Sequence, residues 1–134
     1  MKRKFKVKQF AYLLVPTLIM LLILGCQSPP SEGEKEIRLA PIHEVAVNIA
    51  ESYPPQVFVH IIGGLADSCT TFHEIETERS ENTIKITVTT QRPKEAICAQ
   101  VYGFFEKNVN LGTNFTSGET YLVNVNDKTT SFVM

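Results

Sequence analysis

The chain has 134 residues, 43% of them hydrophobic, and a formal net charge of −1, which is enough for one small domain with a modest core. That total hides a split: Lys2, Arg3, Lys4, Lys6 and Lys8 precede the first acid, whereas residues 26–134 hold 8 Lys and Arg against 14 Asp and Glu, a formal −6. An acidic body argues against nucleic acid as a partner, because that affinity comes mainly from cationic neutralisation of phosphates, and against adhesion to an anionic membrane surface.

In chain order, the basic stretch MKRKFKVKQ and the apolar run Phe10 to Leu24 have the layout of a secretory signal over residues 1–25. Interrupted at Pro16 and Thr17, the run is short for a membrane-spanning helix, which takes about 20 apolar residues. It closes on LILGCQSPP, with the small Gly25 directly before Cys26. Leu22 to Cys26 resembles the lipobox of bacterial lipoproteins, with Leu24 standing where a small residue is usual. The resemblance implies cleavage after Gly25 and lipidation of Cys26, so that acyl chains such as palmitate hold an extracytoplasmic domain at the cell envelope. Residues 26–41 are rich in Pro, Ser, Glu and Lys and lack aromatics, which predicts a flexible tether. The folded domain is expected over 42–134.

From Ile42 onward, short β-rich runs alternate with turn clusters every 8–12 residues or so, the pattern of an all-β sandwich or barrel. Strands are predicted at Glu44–Ala50, Gln56–Ile62, Thr71–Glu78, Thr83–Thr90, Ile97–Phe105, Lys107–Leu111, Tyr121–Asn126 and Thr129–Val133, and Ile42–Ser52 also has a helical reading. Breaks are expected at Pro54-Pro55, Gly63-Gly64, Arg92-Pro93 and Gly112 through Gly118. HEIETE and TIKITV form a hairpin; a four-residue loop, Arg79–Asn82, would set Ile75 opposite Ile86, Thr77 opposite Ile84 and Glu76 opposite Lys85.

Phe115 through Asn126 is similar to a stretch of immunoglobulin-like and fibronectin-like extracellular modules: an apolar residue, a turn glycine at Gly118, then Tyr121 opening an alternating strand. The resemblance implies a single immunoglobulin-like antiparallel sandwich of about seven strands, with the Tyr121 hydroxyl bonded back to the chain at the corner. Cys69 and Cys98, left in an oxidising compartment once Cys26 is lipidated, are expected to form a disulfide. The closed loop of about 30 residues makes such a bridge worth roughly 3–4 kcal/mol.

The sequence has no HExxH, GxSxG, GxGxxG or phosphate-loop motif. The expectation is therefore no enzyme, no catalytic residue, no cofactor and no resident metal. His43, His60 and His73 are the histidines, and a metal set of His60, His73 and a carboxylate is the alternative reading. Glu74, Glu76 and Glu78 form an acidic row with the reading of a solvated face; Asn124, Asn126 and Asp127 read as a turn rather than a calcium site. More telling is the apolar excess on both faces of QVFVHII and AQVYGFFEK, which marks Phe58, Tyr102 and Phe104 as a candidate binding surface. The function expected is a non-catalytic protein-binding or accessory module. Protease inhibition through the loops at Gly63-Gly64 and Gly112–Gly118, and metal or small-ligand capture, are the alternatives.

Overall fold

The computed structural model describes residues 33–134; the signal region, Cys26 and the first part of the tether lie outside the described residues. Eight strands follow one another: β1 (Lys35–Leu39), β2 (Ile42–Ala50), β3 (Gln56–Leu65), β4 (Thr71–Ser80), β5 (Thr83–Pro93), β6 (Gly103–Gly112), β7 (Thr120–Val125) and β8 (Lys128–Val133). They form an all-β, immunoglobulin-like sandwich of two sheets, one of β1, β4, β5, β7 and β8 and the other in the order β2-β3-β6. No helix occurs among the described residues.

The core is made by period-two alternation. Val57, Val59 and Ile61 of β3 face Ile84, Ile86 and Val88 of β5 and Val123 and Val125 of β7, and all eight are buried. β-Branched side chains suit a pleated, close-packed layer because their single preferred rotamers lose little freedom there. Phe72 and Phe105 pack ring to ring at 5.5 Å against this cluster.

β5 organises the larger sheet. Along one edge it pairs with β4 over most of its length. Its other edge is divided: Thr83–Ile86 pair in parallel with β7, and Thr89–Pro93 pair antiparallel with β1. Between the two ladders stands Asn126, in left-handed backbone conformation at φ 49°. The Val88 N–H donates to Asn126 Oδ1 at 2.9 Å. Asn126 Nδ2 donates in turn to the carbonyls of Ala40 (2.8 Å) and Val88 (2.9 Å). One side-chain amide thus stands in for the peptide group that neither β1 nor β7 supplies.

The corner resemblance holds at Tyr121: the buried ring's hydroxyl accepts the Thr116 N–H at 2.9 Å, five residues back. Phe115 and Phe132 pack on that ring at 4.9 and 5.4 Å. Cys69 and Cys98 are joined as a disulfide, with Cα atoms 5.6 Å apart.

Several expectations are corrected. The tether does not run to residue 41, because Lys35–Leu39 is strand β1 on β5; the open edge of β5 captures a segment whose composition carries no strand signal. Ile42–Ala50 is strand throughout. Ile97–Phe105 is not a strand: residues 94–102 form a loop, and β6 runs unbroken from Gly103 through the position expected to separate two strands. The β4–β5 hairpin turns on Glu81-Asn82 alone, with Glu81 at φ 52°. This sets Ile75 opposite Val88, Thr77 opposite Ile86 and Glu78 opposite Lys85. A shift of two residues keeps every side chain on its expected face, so the burial pattern alone did not distinguish the two loops.

Gly63 and Gly64 are not a turn but the interior of β3. A Cβ on Gly63 would lie 2.1 Å from the Phe105 ring, and one on Gly64 would lie 1.9 Å from the Tyr102 hydroxyl. A strand glycine that admits a close neighbour is a recurrent device; here two in succession admit an aromatic on each face.

Asn126→Ala is expected to lower unfolding free energy by about 2–3 kcal/mol, by stranding the Val88 N–H and Ala40 carbonyl. Asn126→Gly, free of the positive-φ penalty, should lose about 1 kcal/mol less. Chemical denaturation of the two variants checks both values, and equal losses would show that backbone strain has no part.

Candidate functional site

β3 lies centrally in the three-stranded sheet, so the side chains alternating with its core residues point to the sheet's outer face. There Phe58, His60 and Ile62 stand between Asn48, Ala46 and Glu44 of β2 and Asn110, Asn108 and Glu106 of β6. His60 Nε2 bonds the Glu106 carboxylate across the β3–β6 ladder. The face carries amides, two carboxylates and aromatic rings, but no Lys or Arg at these positions.

At one end of this face the rings converge. Phe104 is opposite Gly64 in register, and Tyr102 lies just before β6 over the same glycine. His43 completes the group from β2: its Nε2 lies 2.7 Å from the Tyr102 hydroxyl, within hydrogen-bonding distance. Ring centroids are 5.7 Å apart for His43 and Tyr102, 5.2 Å for His43 and Phe104, and 5.3 Å for Tyr102 and Phe104, in edge-on arrangements. Such geometry sets the positive rim of one ring against the negative face of the next. Tyr102 remains 47% and Phe104 65% exposed. The result is an aromatic knob fixed to a sheet rather than rings buried in the core.

Two of the three expected surface residues are therefore brought together. Phe58 shares their face but is half-buried; six residues along β3 from Gly64, it lies about 20 Å away. His43, a histidine candidate for catalysis or metal, was not expected in the aromatic surface, because it is the extra residue of a bulge: Ile42 pairs with Gly63 and Glu44 with Ile62. Such an insertion breaks the two-residue period by which faces are assigned.

The histidine metal set is not assembled. His60 is on the three-stranded sheet, whereas His73 is on β4, where its Nδ1 lies 3.2 Å from the Thr89 hydroxyl. Among the described residues, the group close enough for metal ligation is Asp67, Cys69 and Cys98, and its two sulfurs are bonded to each other. Glu74, Glu76 and Glu78 are exposed, with Glu78 rather than Glu76 beside Lys85, at 3.5 Å.

The loop leading to Tyr102 is held at its base. The disulfide ties Cys98 to Cys69, and Ser68 exchanges hydrogen bonds with Ala99 at 3.1 and 3.0 Å. Asp67, buried nearby, accepts the Cys69 N–H at 3.0 Å, the Thr70 N–H at 2.9 Å and the Thr70 hydroxyl at 2.8 Å, all on Oδ1. Its Oδ2 lies 3.5 Å from Arg92. The Thr70 hydroxyl bond, with the Cys69 N–H and Arg92, holds the Asp67 carboxyl below the ordinary aspartate value of 3.8 against the opposing effect of burial.

A depressed carboxyl stabilises the fold fully above the unfolded value and loses that contribution as pH falls through the lower folded one. Asp67→Asn is accordingly expected to melt below the parent at pH 7. The gap should narrow as pH drops below about 4; a gap that does not change with pH would mean that Asp67 does not act through its charge.

Residues 59–134 match the model of a protein family described as the ORF11 beta-sandwich domain. An uncharacterised 10.2 kDa protein in the HgiCIIM 5′ region of Herpetosiphon aurantiacus is 46% identical over 86 residues, 64% of this chain and 90% of the relative. A second, in the HgiBIM 5′ region of the same organism, is 47% identical over 76 residues, 57% of this chain and 92% of the relative. No solved structure matches the chain.

Proposed function

The chain belongs to the ORF11 beta-sandwich domain family, and we propose that it is an envelope-anchored lipoprotein whose sandwich serves as a non-catalytic protein-binding module. The observation that carries the binding role is the exposed knob of His43, Tyr102 and Phe104. Exposed aromatics cost solvation unless something covers them, and Tyr and Phe are enriched where proteins meet. The knob is also prepared for contact. Gly64 leaves room beneath it, the His43–Tyr102 bond fixes one ring, and the disulfide holds the preceding loop. Conformational freedom given up before binding need not be given up during it.

The anchor rests on LILGC and on the basic segment before it. Acyl chains on Cys26 would concentrate the domain at a membrane surface, and residues 27–34 precede the first strand as spacer. Within this reading the domain is extracytoplasmic, which accords with the Cys69–Cys98 bond.

Cys26→Ala should abolish incorporation of labelled palmitate and move the protein from the membrane fraction to the soluble one. Unchanged labelling would remove the anchor. The full chain in detergent, immobilised and cross-linked in the producing organism's envelope extract, is expected to retain a defined partner. Tyr102→Ser and Phe104→Ser should lose that partner while staying folded, at a cost of about 1–2 kcal/mol for the ring contacts and, at Tyr102, the His43 bond. Retention by both variants would place the interaction elsewhere.

A further inference from the structure

A second feature lies at the open end of the sandwich, where it shares Gly64 and the Asp67–Arg92 contact with the aromatic end of β3. A cavity of about 230 Å³ opens there between β1, the end of β3 and the end of β5. Its walls include Glu36, Arg38, Asp67, Thr70, Thr90 and Arg92. Register explains why these share one space. Thr90 and Arg92 continue the inward-facing row Ile84, Ile86 and Val88 of β5, and Arg38 and Glu36 are their direct partners on β1. A row of apolar residues that faces the core thus becomes polar where the sheets part.

Among the described residues, Asp67, Thr70 and Thr90 are the buried polar side chains, at 7%, 8% and 5% exposure, and all three line this cavity. So does Arg92, whose Nε is buried without a hydrogen-bond partner. Its Nη2 reaches Asp67 Oδ2 and Cys98 Sγ, both at 3.5 Å, the first longer than a charge-assisted hydrogen bond and the second a weak contact to sulfur. A guanidinium has five donors, and a largely buried one held by two long contacts can re-aim without breaking a strong bond. The Thr90 hydroxyl is similarly loose, reaching the Arg38 carbonyl at 3.5 Å. Buried polar groups in folded proteins are otherwise nearly all satisfied. Here the unused capacity consists of donors, gathered around one opening.

We propose that this cavity binds a small carboxylate, with Arg92 and Thr90 donating to it from the floor and Arg38 closing over it from the rim. Arg38 is suited to that part: its side chain is 68% exposed and its partner Glu36, 2.6 Å away, forms with it a surface pair that water readily replaces. Asp67 keeps its charge, but its Oδ1 is turned to three donors of its own loop and its Oδ2 to Arg92, and the two arginines of the lining balance its two carboxylates, Asp67 and Glu36. The planar fork of arginine matches a carboxylate in two parallel hydrogen bonds. The volume lies below the range of ordinary cofactor pockets and suits a ligand of roughly ten heavy atoms or fewer.

The test is a titration of the ¹⁵N-labelled full chain in detergent micelles with sodium acetate, and separately with inorganic phosphate, at constant ionic strength. Acetate is expected to shift the Arg92 Nε–H resonance and the Thr70 and Thr90 amides along one saturable curve, leaving the amides of Phe58 and Asn110, at the far end of the β3–β6 ladder, unmoved. Arg38→Gln, an exposed change that leaves the fold intact, should raise the acetate Kd about tenfold, and Thr90→Val should also weaken it. The proposal is overturned by the absence of a saturable shift at these residues, or by identical curves in both variants. Saturation by phosphate but not acetate would equally overturn it as a carboxylate site.

Discussion

A strand has two hydrogen-bonding edges, and β5 must serve three neighbours. That constraint governs much of the larger sheet. With β4 along one edge, β7 and β1 share the other end to end, and a gap is left where one stops and the next begins. An unpaired backbone group in that gap would be buried beside Val88, at a cost comparable to a lost hydrogen bond. Asn126 removes the cost because its side chain has both a donor and an acceptor spaced like a peptide. It reaches them from the tight turn that starts β8, which requires the left-handed conformation that asparagine tolerates better than most residues. The β7–β8 turn and the seam on β5 are therefore one device.

A second economy is found in β3. Its Ile/Val alternation builds the inner layer, yet near its end two glycines interrupt the pattern without ending the strand. Each lacks a side chain on a different face, and each absence is filled by an aromatic from the β6 side: Phe105 inward, Tyr102 outward. The core and the exposed knob are thus positioned by adjacent residues of one strand. This ties the candidate binding surface to the strand that supplies the core residues Val57, Val59 and Ile61.

The legible parts of the sequence were those governed by short-range periodicity. Alternation in QVFVHII and TIKITV identified core faces, and the spacing of Gly118 and Tyr121 identified the corner. The illegible parts all required a partner distant in sequence. Lys35–Leu39 is a strand because the edge of β5 is vacant, not because KEIRL has strand propensity. Gly63-Gly64 looked like a break because glycines usually make turns; the rings that need their emptiness are some 40 residues away. His43 was hidden by the bulge that displaces it from the periodic pattern. The hairpin register was wrong by two because a two-residue loop without glycine gives a weak signal, and even shifts leave the faces unchanged.

The placement of β1 also has a mechanical consequence. It is the first strand of the domain, joined to the rest of the sheet through five register pairs with β5, from Lys35–Pro93 to Leu39–Thr89. Tension on the chain ahead of Gly33 is delivered into this ladder before it reaches the core. Pulled along the strand axis, the pairs share the load in shear. Pulled away from the sheet, they open singly, after the Glu34–Lys94 contacts that precede Lys35. The second path would carry off Glu36 and then Arg38, one wall of the cavity, while Val59, Ile86 and Val123 stay packed. The margin ends at Ala40, which is buried in the core cluster and bonded to both the Val88 carbonyl and Asn126. The sandwich thus has a margin whose register pairs border the cavity before they border the core.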